Sequence, residues 1–330
     1  MAYFRAKPVI EDLVPPPAPR ATPPDLTRTE LPRSPQALAA ALEKTYLADE
    51  RTALVAFLAL HLDRPLLLEG PAGVGKTDLA RALAETLGRP LVRLQCYEGL
   101  DEGKALYEWD YAKQMLYTQL LRDAVGQRTS QAESLEDALT RLDGAEHAFF
   151  SERFLLPRPL LQALRSDVPV VLLLDEVDRA DPEFEAFLLE VLSEGQVTVP
   201  ELGTFKARHP PLVVLTTNGT RDMTDALRRR CLHAFLDYPP PSREVKILEM
   251  RVPGLAAELA RSLAAFAARV RTMDLRKLPS ISETIDWARA LVLLGKSALD
   301  RSLAEETLGV LIKYEEDRAK VTQSLPKLLP

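Results

Sequence analysis

The sequence is poor in the residues that build disulfide and metal sites. It has two cysteines, Cys96 and Cys231, and four histidines among 330 residues, and neither type shows the close spacing of a zinc site or a redox pair. No apolar run approaches the roughly 18 residues that a membrane span requires, and the first residues lack the apolar segment of a signal peptide. We therefore expect a globular protein of the reducing cytoplasm.

An excess of positive charge is also missing. Lysine and arginine number 42 against 48 acidic residues, which gives a formal charge of −6 and a pI near 5.5. Surfaces that bind duplex nucleic acid are usually strongly basic, so this balance disfavours nucleic acid as a partner, although a local basic patch is compatible with it. The hydrophobic content of 46% is ordinary for a globular chain.

Proline divides the chain into three parts. Residues 1–36 contain nine prolines, which cannot sustain helix or strand hydrogen bonds and predict an extended arm. Two interpretations of this arm remain open: a solvated tail, or a segment that packs on a neighbouring subunit. Pro239-Pro240-Pro241 marks a second boundary. We expect strands alternating with helices over 37–238, with a loop and a helix over 96–116. We expect a small all-helical domain of four helices over 239–330, with Ser242 as the cap of its first helix and residues 303–321 as its last helix.

Glycine is scarce, at 14 residues, but it is concentrated in the stretch LLLEGPAGVGKT (66–77). This stretch satisfies G-x-x-x-x-G-K-[ST], the phosphate-binding loop, in which backbone N–H groups contact phosphate oxygens. The following amphipathic run adds a helix N-terminus. Lys76 would reach the β- and γ-phosphates, and the Thr77 hydroxyl would bind Mg²⁺. The predicted nucleotide-binding residues are Gly70, Pro71, Ala72, Gly73, Val74, Gly75, Lys76, Thr77 and Asp78.

Two carboxylates follow the most apolar run of the chain. Residues 168–174 (VPVVLLL) indicate a strand buried on both faces of a parallel sheet, and Asp175 and Glu176 come directly after it. Ligands of open α/β sheets bind at the carboxyl ends of the strands, so this pair is well placed for chemistry. Solvated acids at a strand end are the plainer alternative. Asp181, just before Pro182, is typical of a helix cap.

These features together resemble the AAA+ ATPases, over about residues 36–330. The loop GPAGVGKT, the run VVLLLDEVDRAD (170–181) and the run VVLTTNGTRDMTDALRRRC (213–231) resemble the MoxR group, and the aromatic block over 96–109 resembles its CoxD-like members. The resemblance implies an α/β fold: a P-loop core with a parallel sheet sandwiched by helices, followed by a small all-α lid. It also implies ATP and Mg²⁺ as cofactors.

The resemblance assigns roles to three residues at strand ends. Asp175 would organise Mg²⁺ through water, because Mg²⁺ keeps much of its hydration shell. Glu176 would polarise the attacking water as general base. Asn218, which ends a later strand, matches the sensor asparagine that holds the water or the γ-phosphate. A simple turn before Gly219 is the alternative interpretation of Asn218.

Arginines carry the remaining implied roles. Arg230, within Arg228-Arg229-Arg230-Cys231, matches an arginine finger that contacts the γ-phosphate of the next subunit, which requires a ring, by resemblance a hexamer. Solvated arginines at a helix end are the alternative, and Arg229 is a substitute candidate. A second sensor arginine is missing where this chain has Ser280-Ile281-Ser282-Glu283. Arg289, two turns later, is the available replacement.

Three functions are compatible with these residues. The resemblance implies an ATP-driven chaperone that remodels a metalloenzyme client, a molybdenum hydroxylase of the carbon monoxide dehydrogenase type, with a von Willebrand A domain partner. The predicted hairpin over 197–206 would face the pore or a partner. A nucleic-acid motor or loader is a second possibility, since clamp loaders share the Arg-Cys ending. A nucleotide-dependent scaffold with little turnover is the third, given the missing sensor arginine.

Overall fold

A computed structural model describes residues 31–119, 150–200 and 202–329. Most of the predicted proline-rich arm, residues 1–30, lies outside the described residues. In chain order the strands are β1 Leu66–Glu69, β2 Leu91–Gln95, β3 Tyr107–Trp109, β4 Leu155–Pro157, β5 Val171–Asp175, β6 Gln196–Val199, β7 Gly203–Lys206, β8 Leu212–Thr217 and β9 Leu232–Phe235.

The α-helices lie before, between and after these strands. They are α1 Pro35–Leu42, α2 Glu50–His61, α3 Lys76–Thr86, α4 Glu102–Leu106, α5 Pro159–Leu164, α6 Pro182–Glu194, α7 Asp225–Arg230, α8 Pro241–Arg251, α9 Ala257–Val270, α10 Ile281–Leu293, α11 Arg301–Leu311 and α12 Glu315–Leu328. None of the helices in the described residues is long and apolar enough to cross a bilayer.

A five-stranded parallel sheet forms the centre of the molecule, in the order β2-β5-β8-β1-β9. Every residue of β5 and β8 is buried, as expected for strands that are covered by helices on both faces. Successive side chains of β5 point to opposite faces, so Leu172 and Leu174 pack into one apolar cluster while Val171 and Leu173 pack into another. The predicted parallel sheet between helices is confirmed.

Two small antiparallel sheets flank the central one. β6 pairs with β7, which confirms the predicted hairpin over 197–206. β3 pairs with β4 across nearly fifty residues of sequence, and sequence analysis missed this pairing because it expected only a loop and a helix over 96–116. The Tyr107 and Trp109 rings meet edge to face at 5.8 Å, so part of the aromatic block packs on itself.

The region after β9 is helical, as predicted, but it contains five helices rather than four. Ile312 leaves the helical conformation, so the single helix expected over 303–321 is divided into α11 and α12. α8 starts at Pro241 with Pro240 as its N-cap, so Ser242 does not cap it. These helices enclose a third apolar cluster, in which Trp287 is fully buried and donates a hydrogen bond to Thr307 Oγ1 at 2.8 Å.

Candidate nucleotide-binding site

The glycine-rich loop connects β1 to α3 in a backbone conformation that requires glycine. Gly70, Gly73 and Gly75 have φ of 153°, 74° and 98°, which side chains rarely tolerate. A Cβ on Gly70 would lie 1.9 Å from the Leu236 carbonyl oxygen, so the loop passes close to the end of β9. No side chain caps the N-terminus of α3, and its first N–H groups are therefore available to an anion.

Lys76 lies below this loop and is only 5% exposed. Its Nζ donates to the carbonyls of Gly70 at 2.6 Å and Pro71 at 2.7 Å and to Asn218 Oδ1 at 2.9 Å. Burial lowers the pKa of Lys76 to about 8, although nearby carboxylates oppose the shift. These three acceptors hold the ammonium at the glycine-rich loop. If a phosphate were bound there, its oxygens would replace some of these acceptors.

Asp175 ends β5 and is 3% exposed. Its carboxylate accepts hydrogen bonds from Thr77 Oγ1 at 2.9 Å, Thr216 Oγ1 at 2.6 Å and Arg93 Nη2 at 2.6 Å. A hydroxyl and a carboxylate are the hard oxygen ligands that Mg²⁺ prefers, usually with phosphates and water completing its shell. The structure holds no group of three or more His, Cys, Asp or Glu suited to a metal within the described ranges. Thr77 and Asp175 therefore fit Mg²⁺ that arrives with a phosphate ligand.

Glu176 has a left-handed backbone conformation, with φ of 58°. For a residue with a side chain this conformation costs about 1–3 kcal/mol, and such strain is concentrated at functional sites. The Glu176 N–H donates to Thr216 Oγ1 at 2.8 Å. Its carboxylate accepts from Asn218 Nδ2 at 3.3 Å and Gln95 Nε2 at 3.1 Å. The carboxylate also accepts from Arg179 Nη1 at 3.1 Å, so it lies among three polar side chains.

The structure brings the predicted strand-end residues into one hydrogen-bonded network. Asn218 links Lys76 to Glu176, with its amide oxygen accepting from the lysine and its amide nitrogen donating to the glutamate. Asp178 fixes the turn that carries Asn218, because its Oδ2 accepts from the N–H groups of Asn218 at 3.2 Å and Thr220 at 3.0 Å. A phosphate-binding cation and two carboxylates are therefore held side by side.

A cleft opens beside the loop, between the core and the C-terminal helices. Its apolar wall comes from α8 and α10. Two arginines of α8 lie at the cleft: Arg243 pairs with Asp49 at 3.1 Å and Arg251 pairs with Asp78 at 3.3 Å. The cleft is lined by residues including Tyr46, Leu236, Ile247, Ile281 and Ile285.

Arg230 lies apart from this network within one copy of the chain. Its Nε donates to Ser193 Oγ on α6 at 2.6 Å, whereas Arg228 pairs with Glu69 at the end of β1 at 3.1 Å. Arg64 donates to the carbonyls of Arg229 and Arg230, which satisfies the C-terminal end of α7. The neighbouring arginines therefore point in different directions, and Arg230 is exposed on the outer surface.

Comparison with known proteins identifies the family. The profile of the AAA domain (dynein-related subfamily) matches residues 65–231, about half of the chain, from the start of β1 to the end of α7. The chain belongs to the AAA domain family. The matched residues contain all of the strand-end network described above.

The chain is also similar to curated proteins and to a solved structure. The AAA chain is 30% identical over 260 residues to the chaperone protein ClpB of Corynebacterium diphtheriae, covering 74% of this chain but 26% of that protein. It therefore spans about a quarter of the ClpB length. It is 26% identical over 266 residues to an uncharacterized protein of Staphylococcus saprophyticus, covering 78% and 88% of the two chains. A Thermotoga maritima RuvB mutant aligns at 14% identity with a TM-score of 0.47, covering 89% of this chain and 77% of that one.

Several residues of this AAA site were not predicted from the sequence. Arg93 and Gln95 reach Asp175 and Glu176 from β2, and Thr216 bridges both acidic residues from β8. The available signal was the polar alternation of Arg93 and Gln95 in a strand of a parallel sheet, where both faces are usually apolar. Asp181 is the N-cap residue of α6 as predicted, but its side chain accepts from the Gly99 N–H at 3.1 Å and makes no capping hydrogen bond to α6.

The two candidate sensor positions also differ from each other in the structure. Ser280 caps α10 in a capping box with Glu283, and its Oγ would lie 2.4 Å from a Cβ on Gly73. Arg289 is exposed, pairs with Asp286 at 3.4 Å, and is not among the residues that line the cleft. The start of α10 therefore contacts the phosphate loop with a serine and supplies no cation there.

Proposed function

We propose that this AAA+ chain binds ATP with Mg²⁺ and hydrolyses it. The observation that carries the proposal is the hydrogen-bonded path from Lys76 through Asn218 to Glu176, with Thr77 and Asp175 beside it. Lys76 and the loop N–H groups would bind the β- and γ-phosphates. Asn218 would orient the attacking water, and Glu176 would accept its proton. Bound Mg²⁺ would neutralise charge on the phosphate oxygens.

Substitution of the proposed base tests hydrolysis separately from binding. We expect Glu176→Gln to lower the ATPase rate by about 10²–10⁴-fold, while a fluorescent ATP analogue binds as tightly as it does to the parent. Glu183→Gln, an exposed position in the first turn of α6, is the matched control and should leave both quantities unchanged. Equal and negligible rates for parent and variant would instead favour a scaffold with little turnover.

We further propose that the active form is a ring in which Arg230 completes the neighbouring site. Its position supports this role, since Arg230 is exposed and its guanidinium donates to Ser193 on α6 and to the Ala226 carbonyl on α7. Because such an arginine is worth about 10³–10⁵ in rate, Arg230→Ala should inactivate the ring, whereas Arg229→Ala should not.

Mixing experiments test whether Arg230 acts across a subunit boundary. Rings of Arg230→Ala protein alone or Glu176→Gln protein alone should be inactive. Mixed rings should regain activity, because some sites then combine an intact Glu176 with an intact Arg230 from the neighbour. A mixture no more active than its parts would contradict a shared site. Ring size, hexameric by resemblance, is measured by light scattering with ATP present.

We also propose the MoxR group, and its CoxD-like members, as the subfamily, with a domain boundary between residues 238 and 239. The motif resemblance supports the subgroup, the relatives named as ClpB chaperones support remodelling of protein, and the separate apolar cluster of α8–α12 supports the boundary. The proposed client is a molybdenum hydroxylase, and the proposed partner carries a von Willebrand A domain.

The proposed client and partner can be tested by capturing the proteins that bind to this chain. The Glu176→Gln protein, held with ATP in an extract of its source cells, should retain a molybdenum hydroxylase subunit or a von Willebrand A domain protein. ATPase activity measured with and without DNA is the second arm, and we expect no stimulation, because Arg208, two residues after the hairpin, is already paired with Asp167. Strong stimulation by DNA would replace this proposal with a nucleic-acid motor.

A further inference from the structure

Arg93 of β2 is the charged residue in closest contact with the predicted metal-binding carboxylate. Its Nε and Nη2 donate to Asp175 Oδ2 at 3.1 and 2.6 Å. The Arg93 side chain is 42% exposed while that of Asp175 is 4% exposed. One buried carboxylate is therefore paired with a cation that reaches it from the edge of the sheet.

The two oxygens of Asp175 have different partners. Oδ1 accepts from Thr77 Oγ1 and from Thr216 Oγ1, so both of its hydrogen bonds come from the interior of the site. Oδ2 accepts from Arg93 and, at a longer 3.3 Å, from Thr77. A guanidinium stays protonated at any physiological pH. The charge that Arg93 places beside the Asp175 carboxylate is therefore always positive.

We propose that Arg93 is a positioning residue that holds Asp175 and competes with Mg²⁺ for it, and so sets the Mg²⁺ concentration at which nucleotide binds. The proposal rests on the nucleotide site proposed above. A cation that binds beside Thr77 Oγ1 approaches a carboxylate already neutralised by Arg93. The two cations repel each other at short range, and this repulsion is strong in a partly buried site. Arg93 therefore weakens Mg²⁺ binding while it stabilises the chain without Mg²⁺.

The Arg93 guanidinium has hydrogen-bond partners besides Asp175. Its Nη2 already donates to Gln95 Oε1 at 2.5 Å, and its exposed end contacts solvent. The guanidinium can therefore give up Asp175 Oδ2 without leaving a buried donor unpaired. An interaction of this kind exchanges readily, whereas the Thr216 contact, made by a fully buried hydroxyl, does not.

Titration of Mg²⁺ tests this inference by binding rather than by activity. We expect Arg93→Gln to bind a fluorescent ATP analogue at about tenfold lower Mg²⁺ than the parent. Arg93→Lys, which keeps the charge, should stay within about threefold of the parent. Arg208→Gln removes a more exposed arginine, which pairs with Asp167 and makes no contact with Asp175 in the described residues, and it should change nothing. If the glutamine variant does not fold, Arg93→Met keeps the aliphatic stem and gives the same measurement.

A second readout separates this role from a merely structural one. Without nucleotide or Mg²⁺, Arg93→Gln should melt at a lower temperature than the parent, because a buried carboxylate loses its partner. A purely structural residue would lower the melting temperature and raise the Mg²⁺ requirement. An unchanged or raised Mg²⁺ requirement therefore overturns the inference. A parent chain that binds no nucleotide at any Mg²⁺ concentration would instead refute the proposed nucleotide site itself.

Discussion

The two ends of the nucleotide cleft are built in different ways. At the phosphate end, Lys76, Asp175 and Thr216 are almost fully buried, and each has named hydrogen-bond partners within the core. At the helical end, Ile281 and Ile285 supply shape, and the ion pairs of Arg243 and Arg251 are a quarter to nearly half exposed. The first end is a buried polar network, and the second is an apolar wall with solvated ion pairs at its margin.

The two ends of the cleft should therefore differ in how much free energy a change in their contacts costs. Removing one partner of a buried charge pair costs about 3–5 kcal/mol, whereas an exposed ion pair contributes about 0–1 kcal/mol. We therefore expect substitutions at the phosphate end to have the larger effect on nucleotide binding. The helical end can shift at little cost, so it is the part of the cleft suited to respond to the nucleotide.

The largest expected effect lies at the phosphate end. Lys76→Ala removes a buried cation aimed at the phosphates, and we expect nucleotide affinity to fall by about 100-fold or more, equivalent to about 2.7 kcal/mol. Isothermal titration measures the change. Lys296→Ala, an exposed lysine after α10, is the control. Unchanged nucleotide affinity in the Lys76 variant would contradict the larger contribution expected of the phosphate end.

Gly73 tests the contact between the two ends. A Cβ at this position would lie 2.4 Å from Ser280 Oγ at a φ of 74°, so Gly73→Ala combines backbone strain with a clash that pushes α10 away. Gly99 has a φ of 76° and nothing within 4 Å of an added Cβ, which makes Gly99→Ala a control for strain alone. We expect Gly73→Ala to destabilise the chain by about 2 kcal/mol more, measured by denaturant unfolding. Equal losses would mean that the start of α10 does not press on the loop.

The pH dependence of binding sharpens the assignment of the phosphate end. Burial lowers the pKa of Lys76 to about 8, so the ammonium is present below that pH and is lost above it. Phosphates bind the charged form, and affinity should therefore fall by about tenfold between pH 7 and pH 9. Titrations across this range measure the effect. The Lys76→Ala protein should lack it, and a parent whose affinity rises with pH would contradict the sign.

The smallest expected effect lies at the helical end. Arg251 and Asp78 join α8 to α3 through an ion pair in which both side chains are about 40% exposed. A double-mutant cycle with Arg251→Ala and Asp78→Ala should give a coupling energy below about 1 kcal/mol in unfolding experiments. A coupling energy of several kcal/mol would instead show that the helical end of the cleft is held by a strong ion pair.

Local patterns predicted those parts of the chain whose structure depends on neighbouring residues. The apolar run before Asp175 correctly predicted a buried strand, and the glycine-rich stretch correctly predicted a turn that leads into α3. The division of the last helical segment at Ile312 was not predicted, although the polar run after it, which includes Glu315, Glu316 and Asp317 in the first turn of α12, was an available signal. Asp181 was correctly predicted at the start of α6, yet its side chain accepts a hydrogen bond from the N–H of Gly99, 82 residues away.

The sequence by itself determined the phosphate loop, the acidic pair Asp175-Glu176 and the alternation of strands and helices, since each is a short contiguous pattern with its own backbone preference. Only the tertiary structure decided that Arg93 and Gln95 reach those acids, that Ser280 contacts Gly73 and that Arg230 lies away from its own site. The physical reason is register: parallel pairing of β2 with β5 sets which side chains meet at the sheet edge, and no local preference encodes that alignment.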